Sequence, residues 1–216
     1  MSYSLIDLFS FSIAIAAVIG LVRFKQLDRV YFPFILLLWL GLLKESVDSV
    51  MIQKGFSNAV SSNLYSLAES LLLLWFFKRW GSFSRRPWVF PALVCTFIAA
   101  WILEKLVFTG ITHFSSYFII LYSFTIVLLS ISRVNRLILS GKKMLINQPQ
   151  FLIFIGFIIF YTYSLLVEIF WIYGLNGSAD FRVQVYRILA WINLFVNLIF
   201  AFSLLWIPRK REYTLL

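Results

Sequence analysis

The sequence predicts an all-α fold: a polytopic membrane protein of seven transmembrane helices, with its N-terminus outside and its C-terminus in the cytoplasm. Three observations predict it. Hydrophobic residues make up 62% of the 216 and charged residues only 13%, where soluble domains run near half and a quarter. Seven stretches are long and apolar enough to span a bilayer, which takes about 20 residues each. The basic residues fall in every second connection, the asymmetry that orients a membrane chain.

In chain order the expected spans are Ser4–Val22, Val30–Gln53, Asn58–Lys78, Trp88–Phe108, Phe114–Leu137, Phe151–Tyr173 and Val183–Ile207. Gly55, Gly81, Pro87, Gly110, Gly141, Pro149, Gly174 and Gly177 fall at or near their ends, where breakers belong. Pro33 and Pro91 sit in first turns, where a missing N–H does little harm. Pro208 closes the last helix. The connections are too short to hold a second domain, so residues 1–216 form a single transmembrane domain.

Charge sets the orientation. Arg23, Lys25 and Arg29 lie in the first loop, Lys78, Arg79, Arg85 and Arg86 in the third. Arg133, Arg136, Lys142 and Lys143 lie at the fifth, and Arg209, Lys210 and Arg211 in the tail. The alternate connections hold only Lys54, Lys105 and Arg182. Met1-Ser2-Tyr3-Ser4 carries no positive charge ahead of the first apolar run, so that run is expected to stay as a helix rather than be cleaved as a signal peptide. A net charge of +10 spread over such loops points to a positive-inside pattern and the lipid bilayer, with no nucleic-acid partner.

The candidate site comes from charge where hydrocarbon is expected. An ionised side chain inside a bilayer costs a few kcal/mol and is rare without a partner or a task. Lys44, Glu45 and Asp48 interrupt the second span, and Asp7, Glu69, Glu104, Glu168 and Arg187 interrupt others. At 1.5 Å per residue, Glu45 lies roughly 6 Å outward of the bilayer centre and Asp48 roughly 10 Å. Asp7, Glu104 and Glu168 come out about 9 Å outward, Arg187 about 12 Å, and Glu69 near the centre. Helices running in both directions thus put acids at one level, and the inner leaflet is almost purely apolar. Lys44 and Asp48 are spaced to pair on one helix face. Ser62, Tyr65 and Glu69 form one polar stripe, Tyr161, Ser164, Glu168 and Trp171 another, and Tyr186, Asn193 and Asn197 a third.

These residues admit three readings. An outward-open polar pocket would bind a small-molecule ligand through Lys44, Glu45, Asp48, Tyr65, Glu69, Glu104, Glu168, Arg187 and Asn193. Alternatively the charges are structural staples, such as Glu168–Arg187 or Glu45–Arg187. The third reading, an ion path across the whole membrane, finds little support in the inner half.

Several chemistries are excluded or weakened. One cysteine, Cys95, precludes an internal disulfide, and with one histidine, His113, no multi-histidine zinc cage can form. No metal and no cofactor is expected, and no catalytic residue is assigned; paired carboxylates alone do not make an enzyme. The topology matches that of microbial rhodopsins, but the last span lacks the lysine that retinal needs. Cys95 is expected as a small buried side chain, and the tryptophans as packing and interface anchors. Asn176-Gly177-Ser178 fits a glycosylation sequon. A short echo, Leu42-Leu43-Lys44-Glu45 against Leu165-Leu166-Val167-Glu168, is the form that a parallel duplication of three helices would leave.

Tyr31-Phe32-Pro33-Phe34, Glu168-Ile169-Phe170-Trp171 and Leu205-Trp206-Ile207-Pro208-Arg209-Lys210 give the chain its look. Over its full length it resembles small seven-helix integral proteins of bacterial inner membranes, a resemblance that implies that location and carries no activity with it. The functional expectation is a small-ligand-binding sensor or receptor-like module acting through a cytoplasmic or membrane protein partner. The alternatives are a small-solute or ion transporter, or a structural subunit of a membrane complex.

Overall fold

The computed structural model describes residue 9 and residues 11–140, 145–173 and 178–208, without the side chains of 146, 179, 180, 182 and 186. Among the described residues there are seven α-helices and no strand. They are α1 (Ile13–Val22), α2 (Phe32–Gln53), α3 (Ala59–Arg79), α4 (Val89–Leu103), α5 (Ser116–Leu139), α6 (Pro149–Ile172) and α7 (Ala179–Trp206). Six of the helices are long and apolar enough to cross a membrane, with mean hydropathies from 1.2 to 2.2. The exception is α1, ten residues long. Most of the earlier part of its expected span, residues 4–8 with Asp7 and residue 10, lies outside the described residues, as do Asn176, Gly177 and the basic tail.

Local chemistry sets the ends more than hydropathy does. Two short 3₁₀ turns, Phe24–Gln26 and Arg29–Tyr31, join α1 to α2, and Asp28 caps the second by accepting from the Val30 amide. Helix α7 begins at Ala179 rather than Val183 because the Ser178 hydroxyl accepts from the amide of Phe181, a cap that gains an extra turn. Proline opens α6 at Pro149, two residues ahead of the expected apolar start. After Leu103, α4 widens into a π-helical turn, Glu104–Thr109, which stops at Gly110 with φ 73°. That left-handed conformation is one that glycine adopts without steric cost.

Helices α1, α2 and α3 pack in sequence, as do α5, α6 and α7. Contacts of α1 with α7 and of α3 with α5 close these two groups into a ring. Helix α4 leans on its outside, against α3 and α5. Phe34 and Glu45 on α2 recur at the same spacing as Phe157 and Glu168 on α6. The position of α4 corrects one expectation. Cys95 is exposed, not buried, because α4 turns only a narrow stripe inward and Phe97 is its one buried residue before the π turn.

One end of the ring is filled with aromatic rings. Phe34, Phe76, Phe77, Phe154, Phe157 and Phe200, from α2, α3, α6 and α7, are all buried. Their centroids lie 5.2 Å apart for Phe34–Phe200 and 5.6 Å for Phe76–Phe157, both edge to face, the arrangement that ring quadrupoles favour. Gly156 makes room for this contact: a Cβ there would stand 2.5 Å from Phe200 Cε1. At the same end Arg23, the residue after α1, donates to the carbonyls of Leu204, Leu205 and Ile207. A planar guanidinium thus satisfies carbonyls at the end of α7 that the helix itself leaves open.

Two expectations follow for stability, read as reversible unfolding in detergent. Arg23→Ala loses about 1–2 kcal/mol, the range for a well-placed cation at a helix C-terminus, and Arg23→Lys, with one nitrogen, recovers less than half of it. Gly156→Val costs about 1–3 kcal/mol by overpacking against Phe200, and the additional change Phe200→Leu relieves part of that loss.

Candidate functional site

On the other side of the aromatic layer the same helices turn polar. Glu69, buried on α3, is the centre of this region. Its Oε1 accepts from the hydroxyls of Tyr65 and Tyr161, each at 2.8 Å, and its Oε2 from Tyr122 at 2.7 Å. Tyr65 lies one turn earlier on α3, Tyr122 is on α5 and Tyr161 on α6, so one carboxylate ties three helices together. Tyr161 stands on Phe157 (6.0 Å between centroids) and beside Tyr122 (5.9 Å). The aromatic layer therefore sets the height at which the hydroxyls meet Glu69.

A second cluster lies nearer the C-terminal end of α2. The Lys44 ammonium is 3.1 Å from Glu45 and 3.2 Å from Asp48, and it sits 5.8 Å from the centre of the Tyr65 ring. Asp48 is buried and also accepts from Ser61 at 2.6 Å and Asn58 at 3.0 Å. This fixes the start of α3 against α2 and leaves Lys44 held over Tyr65. On α7, Asn197 donates to Asn193 at 3.2 Å and to Ser12 at 2.9 Å.

Two cavities flank the Glu69 node. One of about 110 Å³ lies among α1, α2, α3, α6 and α7, with Lys44, Glu45, Tyr65, Glu69, Asn193 and Asn197 as its polar lining. The other, of about 440 Å³, lies among α3, α5 and α6 and is lined by Tyr122, Ser164, Glu168 and Trp171 among others. Lys44, Tyr65, Glu69 and Phe160 line both. The wall between the cavities is thus the Glu69 node with Lys44 beside it. A site of this form offers a carboxylate, an ammonium, phenol hydroxyls and ring faces to a small molecule.

Of the nine residues expected from the sequence, Lys44, Glu45, Tyr65, Glu69, Glu168 and Asn193 line these cavities. Asp48 lines neither but holds Lys44. Glu104 is brought elsewhere. It accepts from the amides of Tyr117 (3.3 Å) and Phe118 (2.7 Å), the open donors of the first turn of α5. Arg187 is exposed on α7, outside both cavities, and neither expected Arg187 pair forms among the described residues. Each departs for its own reason: the π turn directs Glu104 toward α5, and Arg187 occupies the outer face of α7.

Other polar residues emerge that sequence reasoning passed over. Tyr122 sits in an apolar run with no polar stripe to mark it. Asn63, 1% exposed, donates to the carbonyls of Ile111 and His113 at 2.8 and 2.7 Å and accepts from Ser115 at 2.8 Å. Lys105, expected as a loop charge, is buried by the π turn and donates to the His113 carbonyl at 2.6 Å. Together they pin the segment between α4 and α5 beside the larger cavity. Among the described residues no group of histidine, cysteine or carboxylate side chains is arranged to hold a metal. No known protein family, curated protein or solved structure matches the chain.

The node yields a stability prediction. Glu69→Leu leaves three buried hydroxyls without their acceptor and costs about 3 kcal/mol, near 1 kcal/mol for each. Tyr122→Phe removes one donor and costs about 0.5–1.5 kcal/mol. In a double-mutant cycle the combined change costs less than the sum of the two. Strict additivity would mean that Tyr122 and Glu69 do not interact.

Proposed function

We propose that the chain is a multi-pass protein of the inner (plasma) membrane that binds a small polar ligand in the chamber around Glu69 and acts as a sensor or receptor-like module through a protein partner. The positive-inside charge pattern supports an orientation with the polar end of the bundle facing outward. The observation that carries the reading is the Glu69 node itself. A carboxylate bonded to three helices forms the wall between two cavities, so a ligand that engages this wall acts on α3, α5 and α6 at once. Such a ligand couples binding to helix position by favouring one arrangement of these contacts over another.

The chemistry of the lining narrows the ligand. Glu45, Glu69 and Glu168 supply three carboxylates against the single ammonium of Lys44, which already contacts Glu45 and Asp48. This balance favours a ligand bearing an amine, with ring faces such as Phe160 and Trp171 to take its apolar part or its cation. The layer of phenylalanines beneath the node favours a receptor over a carrier, since a carrier must also open at that end.

The test is a thermal-shift screen of the purified protein in uncharged detergent against small amines, zwitterions and carboxylates. At least one amine-bearing class is expected to raise the melting temperature in a concentration-dependent way. That response should fall at least tenfold in apparent affinity in Glu69→Gln and in Glu168→Gln. A response from carboxylates alone, or one unchanged in both variants, would contradict the reading.

A further inference from the structure

A separate cavity lies at the opposite, aromatic end of the bundle, where α1 turns into α2. It measures about 340 Å³ and is lined by Lys25, Arg29 and Arg79, with Asp28, Phe24 and Phe32 among its other walls. Three cations from two parts of the chain thus face one space. Asp28, its one acid, already accepts from the Val30 amide at 3.2 Å. Among the described residues no carboxylate forms an ion pair with Lys25, Arg29 or Arg79. Neighbouring Arg23 is not part of this set, since its guanidinium is engaged with the end of α7.

The level of the cavity says what kind of anion fits. The apolar span of α2 begins at Arg29 and that of α3 ends at Arg79, so these two cations stand at the ends of the apolar spans, with Lys25 in the turn just before α2. Apart from Asp28 the rest of the lining is apolar. Phe24 is 44% exposed and meets Phe32 edge to face at 5.7 Å, and Phe32 meets Trp75 at 5.8 Å. The Arg79 guanidinium lies 5.9 Å from the Trp75 ring, which directs it along the aromatic surface instead of into bulk water. Cations beside the exposed Phe24 and the half-buried Phe32 match a molecule with a phosphate head and a hydrocarbon tail.

From this geometry we infer that the cavity between the α1–α2 turn and the end of α3 is a binding site for the phosphate headgroup of an anionic phospholipid, its acyl chain lying along Phe24 and Phe32. Basic pockets between helix ends at a membrane surface bind such headgroups. Bound there, the lipid bridges the α1–α2 turn and α3 and neutralises charges that otherwise repel one another.

The test uses the full chain, delipidated in uncharged detergent, with phosphatidylglycerol or phosphatidylcholine added and binding read by native mass spectrometry and by melting temperature. Phosphatidylglycerol should be retained and raise the melting temperature, and phosphatidylcholine should do neither. Each cation removed should weaken binding roughly fivefold, the effect of one basic side chain near an anionic surface. Lys25→Ala, Arg29→Ala and Arg79→Ala together should therefore lose about a hundredfold. A control pair outside the cavity, Arg85→Ala with Arg86→Ala, should stay within twofold of the parent. If the triple variant does not fold, Arg79→Gln alone should show the single fivefold loss. Equal losses in the control pair would overturn the site as non-specific attraction. Equal binding of phosphatidylcholine would overturn headgroup recognition. Inorganic phosphate or glycerol phosphate binding as tightly as the lipid would replace it with a soluble anion.

Discussion

Much of the bundle depends on one buried carboxylate. Glu69 lies where hydrocarbon is expected, and an isolated charge there would favour a different helix arrangement. Three phenol hydroxyls from α3, α5 and α6 offset that cost, each donating to an oxygen 2.7–2.8 Å away. The arrangement works in both directions. Glu69 needs all three helices close, and it is the acceptor that the three buried tyrosine hydroxyls share.

The rest of the fold can be understood as support for this node. Phe157 carries Tyr161, Phe118 packs on Tyr122 at 5.3 Å, and the ring cluster beneath fixes the separation of α2, α3, α6 and α7. Asp48 sets the register of α2 against α3 by accepting from Ser61 and Asn58. Arg23 fastens α1 to α7 and so helps to close the ring. The buried carboxylates Asp48 and Glu69 gather at one end and the phenylalanine cluster at the other, so the cavities beside Glu69 lie on the polar side of that cluster.

The all-helical class was legible from hydropathy, because long apolar runs leave few alternatives. Of the seven expected spans, six are helices long and apolar enough to cross a membrane, and α1 is described over ten residues only. The polar set was legible in part, since polar groups in apolar runs stand out: Glu45 on α2, Glu69 on α3 and Glu168 on α6 line the cavities, with the uncharged Asn193 and Asn197 on α7. Partners were not. Depth along a helix says nothing about which face it shows to which neighbour, so Glu104 and Arg187 shared the level of the cavities without joining them. Glu104 was redirected by a π turn, which hydropathy does not register. Tyr122 was invisible because a lone tyrosine in an apolar helix looks the same whether it donates to a buried carboxylate or packs at an interface. Cys95 misled for the opposite reason: an apolar run in a membrane helix can face lipid as well as protein.

The proposed chamber around Glu69 has to open at one face of the membrane and be sealed at the other by the phenylalanine rings. The most direct measurement is two-sided thiol labelling in a Cys95→Ser background. Single cysteines at Glu45, Glu168 and Phe157 would be challenged with a membrane-impermeant reagent on intact cells and on inverted vesicles. Positions 45 and 168 should react from the outer face only, and position 157 from neither. Labelling of positions 45 and 168 from both faces would reveal a continuous path, and labelling from neither would mean that the chamber is closed; each result would contradict the account.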